Sequence, residues 1–285
     1  MGGMKRPEVI ETAVTRVPAE GDLVMRRETV VAEEPLEVRV DGRRLLLTMR
    51  TPGDDLDLVR GLLYSEGFIQ QPGDIVAVQH CTEVEPEERG NVVVVALRED
   101  VTLDPEWTAR ATVMNSACGV CGTSSVELVH RRCGKVAPGP ALDRELILSL
   151  PARLNHRQAI YNQTGGLHAA GLFDATGKLL CLKEDVGRHN AVDKLIGEAM
   201  RFGLLPLDGL LLMVSSRAGF EIVQKACRAR IPVICCASAP TSLAIELARQ
   251  SNQTLVAFLR DDRFTIYSGA ERLRMDETAG RQVQP

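Results

Sequence analysis

Two cysteines three positions apart, Cys118 and Cys121, lie in the run Ala117-Cys118-Gly119-Val120-Cys121-Gly122, just ahead of Thr123-Ser124-Ser125. Ser124 followed by Glu127 has capping-box spacing, and residues 125–132 predict a short helix that closes at His130-Arg131-Arg132 with Gly134 beyond. Thiols facing a helix N-terminus meet unpaired N–H groups and the positive end of the dipole. Both favour the thiolate, which is the form that attacks sulfur or binds metal. Three chemistries use such a pair. A thioredoxin-type disulfide asks for a strand running straight into the motif and a helix straight out of it, whereas the glycines and the cap give a looser loop. A structural zinc would recruit His130 and Cys133, roughly 9 to 14 Å further along the helix at 1.5 Å per residue, so the loop would have to fold back. The zinc-deaminase pattern is not met, because His168-Ala169-Ala170 lacks the glutamate and Ala117 stands where a proline is needed. The third chemistry is a sulfur relay, in which a thiolate takes up a sulfur atom as a persulfide and hands it on.

A second group of residues suits an anionic ligand. Ser215-Ser216-Arg217, Ser238-Ala239-Pro240-Thr241-Ser242 and Arg260-Asp261-Asp262-Arg263 each follow a short apolar run. They offer hydroxyls, guanidinium groups and a helix N-terminus. There is neither a GxxxxGK[ST] loop nor a strand-linked GxGxxG, which disfavours ATP hydrolysis and Rossmann dinucleotide binding. A nucleotide portion still fits: Asp261 or Asp262 could accept from the N1–H and amino group of a guanine, while Arg217, Arg260 or Arg263 pairs with phosphates. A solvated charged loop explains the same residues equally well. His168, after Gly165-Gly166-Leu167, and His189, in the charge-dense stretch from Lys183 to Lys194, read as ligands or as ordinary capping and core histidines.

The elements that must carry these residues fall into two rhythms. In the N-terminal third, Pro35 to Val40 and Arg43 to Met49 are strand-like and joined by Asp41-Gly42, a hairpin signal. Thr51-Pro52-Gly53-Asp54 then precedes a helix from about Asp55 to Tyr64, with Leu56, Val59, Leu62 and Leu63 at core spacing. Strands follow near Ile75 to Gln79 and Asn91 to Leu97, separated by the acidic stretch Glu83 to Arg89, a solvated loop. A helix from about Asn190 to Met200 would turn Val192, Leu195, Ile196, Ala199 and Met200 to the core and leave Asp193 and Lys194 elsewhere. The C-terminal half reads β-α-β-α-β: strand Leu210 to Val214, helix Phe220 to Arg228, strand Ile231 to Ala237, helix Ser242 to Arg249 and strand Leu255 to Leu259. Continuous apolar strands alternating with helices predict a parallel sheet whose ligands gather at the strands' carboxyl ends.

Composition narrows the function classes. The 285 residues carry a net charge of −4 and 45% apolar residues, which gives no broad electrostatic reason to bind nucleic acid or an anionic membrane. No run approaches the roughly 20 apolar residues of a membrane span, and the first residues lack a secretory core, so a cytosolic protein is expected. There the eight cysteines should be mostly reduced. Cys227, Cys235 and Cys236, in apolar patterns, should behave as small hydrophobes.

Several longer motifs, in one order, carry a family resemblance. Cys118-Gly-Val-Cys121-Gly, Gly166-Leu-His-Ala-Ala170, Glu184-Asp-Val-Gly-Arg-His-Asn-Ala-Val-Asp-Lys194 and Ser238-Ala-Pro-Thr-Ser242 resemble the formate dehydrogenase accessory sulfurtransferases, the FdhD family. The likeness runs from Thr51-Pro52-Gly53 with Ser65-Glu66-Gly67 to Arg260 with Ile266-Tyr267. It implies a small α+β domain over residues 1–125 that ends in the CxxC loop. A cytidine-deaminase-like three-layer α/β/α domain with a largely parallel core sheet would occupy 126–275, and 276–285 would form a tail. It also implies a cytosolic homodimer without zinc. Sulfur would pass from a cysteine desulfurase to Cys118 as a persulfide, with Cys121 assisting or receiving it, and on to a molybdenum bis(molybdopterin guanine dinucleotide) that activates formate dehydrogenase. Phe258, Leu259, Arg260, Asp261, Asp262 and Arg263 become the guanine-dinucleotide contacts, joined in the expected cofactor-binding set by Arg217, Ser238, Thr241, Ser242, His168 and His189. One departure is visible: where the family often has Ser-Gly-Arg-x-Ser, this chain has Ser215-Ser216-Arg217-Ala218-Gly219, which shifts one hydroxyl. The competing function is a cofactor-binding chaperone whose CxxC is structural or redox-regulatory.

Overall fold

The computed structural model describes residues 6–103 and 134–274. The CxxC pair, its capping box and the helix expected after it lie outside the described residues. In chain order the elements are β1 (Val9–Arg16), β2 (Val24–Val31), β3 (Glu34–Val40), β4 (Arg43–Arg50), α1 (Asp55–Ser65), β5 (Ile75–His80), β6 (Val92–Leu97), β7 (Leu142–Asp143), α2 (Arg144–Asn155), α3 (Ala159–Thr164), β8 (His168–Phe173), β9 (Leu179–Asp185), α4 (Arg188–Arg201), β10 (Leu211–Val214), α5 (Phe220–Arg228), β11 (Val233–Cys236), α6 (Ser242–Gln250), β12 (Thr254–Ala257), β13 (Thr265–Ser268) and β14 (Leu273–Arg274). This is a mixed α/β chain with several sheets. Its described residues group into two compact units, 6–103 with 157–170 and 183–203, and 134–156 with 171–182 and 204–274.

The first unit is organised by a four-stranded sheet in the order β4-β3-β6-β5. Its β3–β4 hairpin turns at Asp41 and Gly42, whose φ values of 47° and 76° are the paired positive values that a tight two-residue hairpin needs. Leu36, Val38 and Val40 point inward at alternate positions of β3 and are buried. Strand β6 lies parallel to β3 and antiparallel to β5. Helices α1 and α4 pack closely through glycine: a Cβ on Gly61 would run into the carbonyl of Asp193, and one on Gly197 into the carbonyl of Asp57. In α1 it is Leu58, with Val59, Leu62 and Leu63, that is buried, while Leu56 is only half-buried. The expected apolar face of α4 is buried, and so are Asp193 and Lys194, which the helical spacing had left off that face. The ribbon β1–β2, an eight-pair antiparallel ladder, has no counterpart in the sequence-based expectations.

The second unit holds the β-α-β-α-β run. Strands β10, β11 and β12 pair in parallel, with α5 and α6 between them in sequence, and β13 closes antiparallel on β12. The whole sheet runs β13-β12-β11-β10-β8-β9. All four residues of each of β10, β11 and β12 are buried, which explains sequences that are apolar throughout except for Thr254. Cys227, Cys235 and Cys236 sit in this interior. Burial pushes both strand thiols up, that of Cys236 to about 11, so at neutral pH they pack as hydrophobes rather than react.

Candidate functional site

The three parallel strands end at the three polar clusters, and the main chain ties those clusters together. Beyond β10, Ala218 forms a parallel bridge with Pro240; its N–H donates to Ala239 O at 3.2 Å, and its carbonyl accepts from Thr241 N at 3.1 Å. Beyond β12, Phe258 N donates to Ser238 O at 3.1 Å and Leu259 N to Cys236 O at 3.2 Å. The Arg260 guanidinium donates to Ala237 O and, at 2.9 Å, to Leu259 O. The floor of this site is therefore backbone, held by the bonds that extend the sheet past its strands.

The side chains divide by whether that scaffold already uses them. Thr241 caps α6, its Oγ1 accepting from Ala244 N at 3.3 Å, as an N-cap threonine should. Arg260 is turned to carbonyls. Ser216 donates to the carbonyl of Arg217 at 3.0 Å. Arg217 is exposed and has no hydrogen-bond or ion-pair partner among the described residues. Arg260 N donates to Arg263 O at 2.8 Å, which closes a turn that presents Asp261 and Asp262 to solvent; Arg263 lies 3.1 Å from Asp262. Phe258 stands at the rim, 43% exposed with φ of 49°. Its ring centroid is 6.5 Å from that of Tyr267 at a 44° tilt. A bulky residue in the left-handed region is uncommon and marks a place where surrounding bonds overrule local preference. The arrangement offers an aromatic face, an exposed guanidinium and exposed carboxylates within one cluster of loops. Ser238, Thr241, Ser242, Arg217 and the 258–263 segment all belong to it, in the second unit.

His168 and His189 belong to the first unit. His189 is the second residue of α4 and half-buried. His168 opens β8; burial first, and then the Arg188 cation, hold its pKa below the ordinary 6.5, with Asp185 opposing them. Around it the charge-dense stretch is wired internally. Asp185 Oδ2 accepts from Lys194 Nζ at 2.8 Å and Thr51 N at 3.1 Å, and its Oδ1 from Gly187 N at 2.8 Å and Asn190 Nδ2 at 2.9 Å. Lys194 also donates to Thr51 O at 2.9 Å. Ser65 Oγ donates to Asp193 at 2.6 Å. The density of charge in the sequence signalled this network, but the partner Thr51, over a hundred positions upstream, could not be read from it.

A cleft of about 460 Å³ also opens in the first unit, lined by Gly53, Asp54, Asp55, Asp57, Arg60, His80 and Arg201 among others. Its charges are largely answered within the protein. Arg201 grips Asp57 with two bonds of 3.0 and 2.9 Å, and Arg50 grips Asp55 at 2.8 and 3.1 Å. Lys183, 8% exposed, pairs with Asp54 at 3.0 Å and with Glu198. Burial works against the Lys183 ammonium, yet the Glu198 and Asp54 carboxylates outweigh it and raise its pKa.

No helix among the described residues is long and apolar enough to cross a membrane. The FdhD/NarQ family model matches residues 31–274. A sulfur carrier protein FdhD of Nocardia farcinica is 44% identical over 265 residues, covering 92% of this chain and 93% of its own length. That of Streptomyces avermitilis is 43% identical over 267 residues, with 92% and 95% covered. A solved structure from Desulfotalea psychrophila, described as a formate dehydrogenase accessory protein, shares the fold with a TM-score of 0.73 at 24% identity, over 94% of this chain and 100% of that one. The motif likeness, the family model and relatives matched along nearly their whole length agree: the chain belongs to the FdhD/NarQ family.

Proposed function

We propose that this protein is a sulfur carrier and sulfurtransferase that serves formate dehydrogenase maturation. The observation that carries the reading is the presence of Cys118-Gly-Val-Cys121 in a chain more than 40% identical to proteins named sulfur carriers. In the relay, the Cys118 thiolate attacks the outer sulfur of a cysteine desulfurase persulfide. The donor's S–S bond breaks, the donor leaves as a thiolate and Cys118 holds the sulfur as a persulfide. Delivery at the sulfide level balances when the Cys121 thiolate attacks the Cys118 sulfur: a Cys118–Cys121 disulfide forms, and the carried atom leaves with the electron pair for the acceptor.

The acceptor in this reading is the molybdenum bis-guanine-dinucleotide cofactor, handled as substrate on the strand-end cluster of a cytidine-deaminase-like sheet. The exposed Phe258 ring supplies a stacking face for guanine. Asp261 or Asp262 accepts from its N1–H and amino group, and Arg217 meets phosphate with a planar pair of donors. Ser238 and Ser242 lie on the adjoining loop. Homodimer formation and a cytosolic setting complete the proposal.

Intact mass spectrometry of the purified protein, after incubation with a cysteine desulfurase, its pyridoxal cofactor and cysteine, tests the relay. A reducible gain of about 32 Da, one sulfur atom, that Cys118→Ala abolishes is the expected result. No added sulfur on any cysteine, under conditions that load a known acceptor, overturns it in favour of a cofactor-binding chaperone.

A further inference from the structure

Among the described residues, the turn that joins β9 to α4 leaves the Arg188 cation without a counterion. The two carboxylates that precede it are taken: Glu184 accepts from Ile160 N at 3.1 Å and Tyr161 N at 2.8 Å, and Asp185 is filled by Lys194 and three neutral donors. Arg188, the first residue of α4 and half-buried, has no hydrogen-bond or ion-pair partner among the described residues. His168 is half-buried and equally unpartnered there. It reaches the same place because the β8–β9 hairpin, turned at Asp174 N to Lys178 O, carries the start of β8 back to the end of β9. Burial, and after it the Arg188 cation, hold the His168 pKa below its ordinary value and so favour the neutral imidazole. A neutral imidazole offers one N–H without adding charge, and a guanidinium offers a planar fork.

We propose that His168 and Arg188 form an oxyanion site for a phosphate-type group. Arg188 supplies the countercharge and two parallel donors, and His168 supplies a third donor at neutral pH. Partial burial makes each of these bonds stronger than it would be in open water. Lys194 cannot compete for the anion, because Asp185, Thr51 and Glu184 already surround its ammonium. The site deepens the cofactor reading at His168 and rests on it for the source of the phosphate, a dinucleotide's pyrophosphate; a free pyrophosphate presents the same chemistry.

The test follows the His168 imidazole resonances of the full-length protein by NMR, assigned through His168→Gln, during titration with inorganic pyrophosphate, GDP and acetate at constant ionic strength. Pyrophosphate should shift the His168 signals saturably, and Arg188→Gln should weaken that response at least tenfold while Arg188→Lys, which keeps charge but not the fork, falls between. A His168 response to GDP as well assigns the source to a nucleotide, and a response to pyrophosphate alone supports a free pyrophosphate. Arg217→Ala should leave the His168 response to inorganic pyrophosphate unchanged while it weakens GDP, so a failed guanine site and a failed oxyanion site are told apart. Unmoved His168 signals at millimolar pyrophosphate overturn the proposal, as does an equal response to acetate or one that survives Arg188→Gln in full.

Discussion

The ammonium of Lys194 lies 2.8 Å from the carboxylate of Asp185, with the two side chains 2% and 0% exposed. Taking both ions out of water is costly, and the pair persists because Thr51, Gly187 and Asn190 satisfy what remains of their hydrogen-bonding capacity. Lys194→Met should strand the Asp185 charge in the interior and cost about 3–5 kcal/mol. Urea unfolding measures this directly, and a loss below about 1 kcal/mol would show that the pair does not hold the turn in place.

Gly197→Ala sets two effects against each other. Alanine is favoured over glycine in a helix interior by about 1 kcal/mol, but here its methyl would meet the backbone carbonyl of Asp57 on the facing helix. Overpacking against backbone costs about 1–3 kcal/mol or more, so the variant should be less stable than wild type. Thermal unfolding that rises instead would mean that α1 and α4 can separate without loss.

The pH dependence has a definite sign at His168. Its folded pKa lies below the ordinary 6.5, so between the two values the unfolded chain binds more protons than the folded one. Stability from this group is thus full above 6.5 and falls as pH drops through 6.5 toward the folded value. Urea midpoints from pH 7.5 to 5 should decline more steeply in wild type than in His168→Gln; parallel curves would refute the assignment.

At the strand ends, Phe258→Asn separates strain from recognition. Asparagine tolerates the left-handed backbone better than phenylalanine does, so stability should stay within about 1 kcal/mol of wild type. Loss of the stacking face should weaken GDP roughly tenfold, in keeping with about 1–3 kcal/mol per stacked base. Arg217→Ala should also weaken GDP, through the phosphates. Calorimetric titration decides, and unchanged affinity in both variants removes the guanine site.

What could be read from the sequence were features written locally. Asp41-Gly42 announced its hairpin because those residue types accept positive φ, and the apolar runs of β10, β11 and Leu255 to Ala257 of β12 announced burial on both faces. The polar clusters after those strands were visible for the same reason. Features that depend on distant partners were not legible. Helical spacing set Lys194 apart from the core, and only Thr51 and Asp185 explain why it is buried. Nothing local reveals that Arg188 goes without a partner among the described residues while Arg50 and Arg201 are paired. The β1–β2 ribbon carries mixed polar and apolar residues on both faces, so it lacked the alternation that marks a half-buried strand, and α2 holds Pro151 in its interior, a residue that ordinarily ends a helix.

The bonds that join Ala218 to Ala239 and Thr241, and Phe258 to Ser238, involve no side-chain atoms. Substitution at Arg217, Ser238, Ser242 or Asp261 therefore leaves the seams between the loops intact, and under the proposed function the same frame can be re-lettered for a different base or a different anion one residue at a time. Ligand preference could drift among relatives of this fold while the sheet beneath them stays the same.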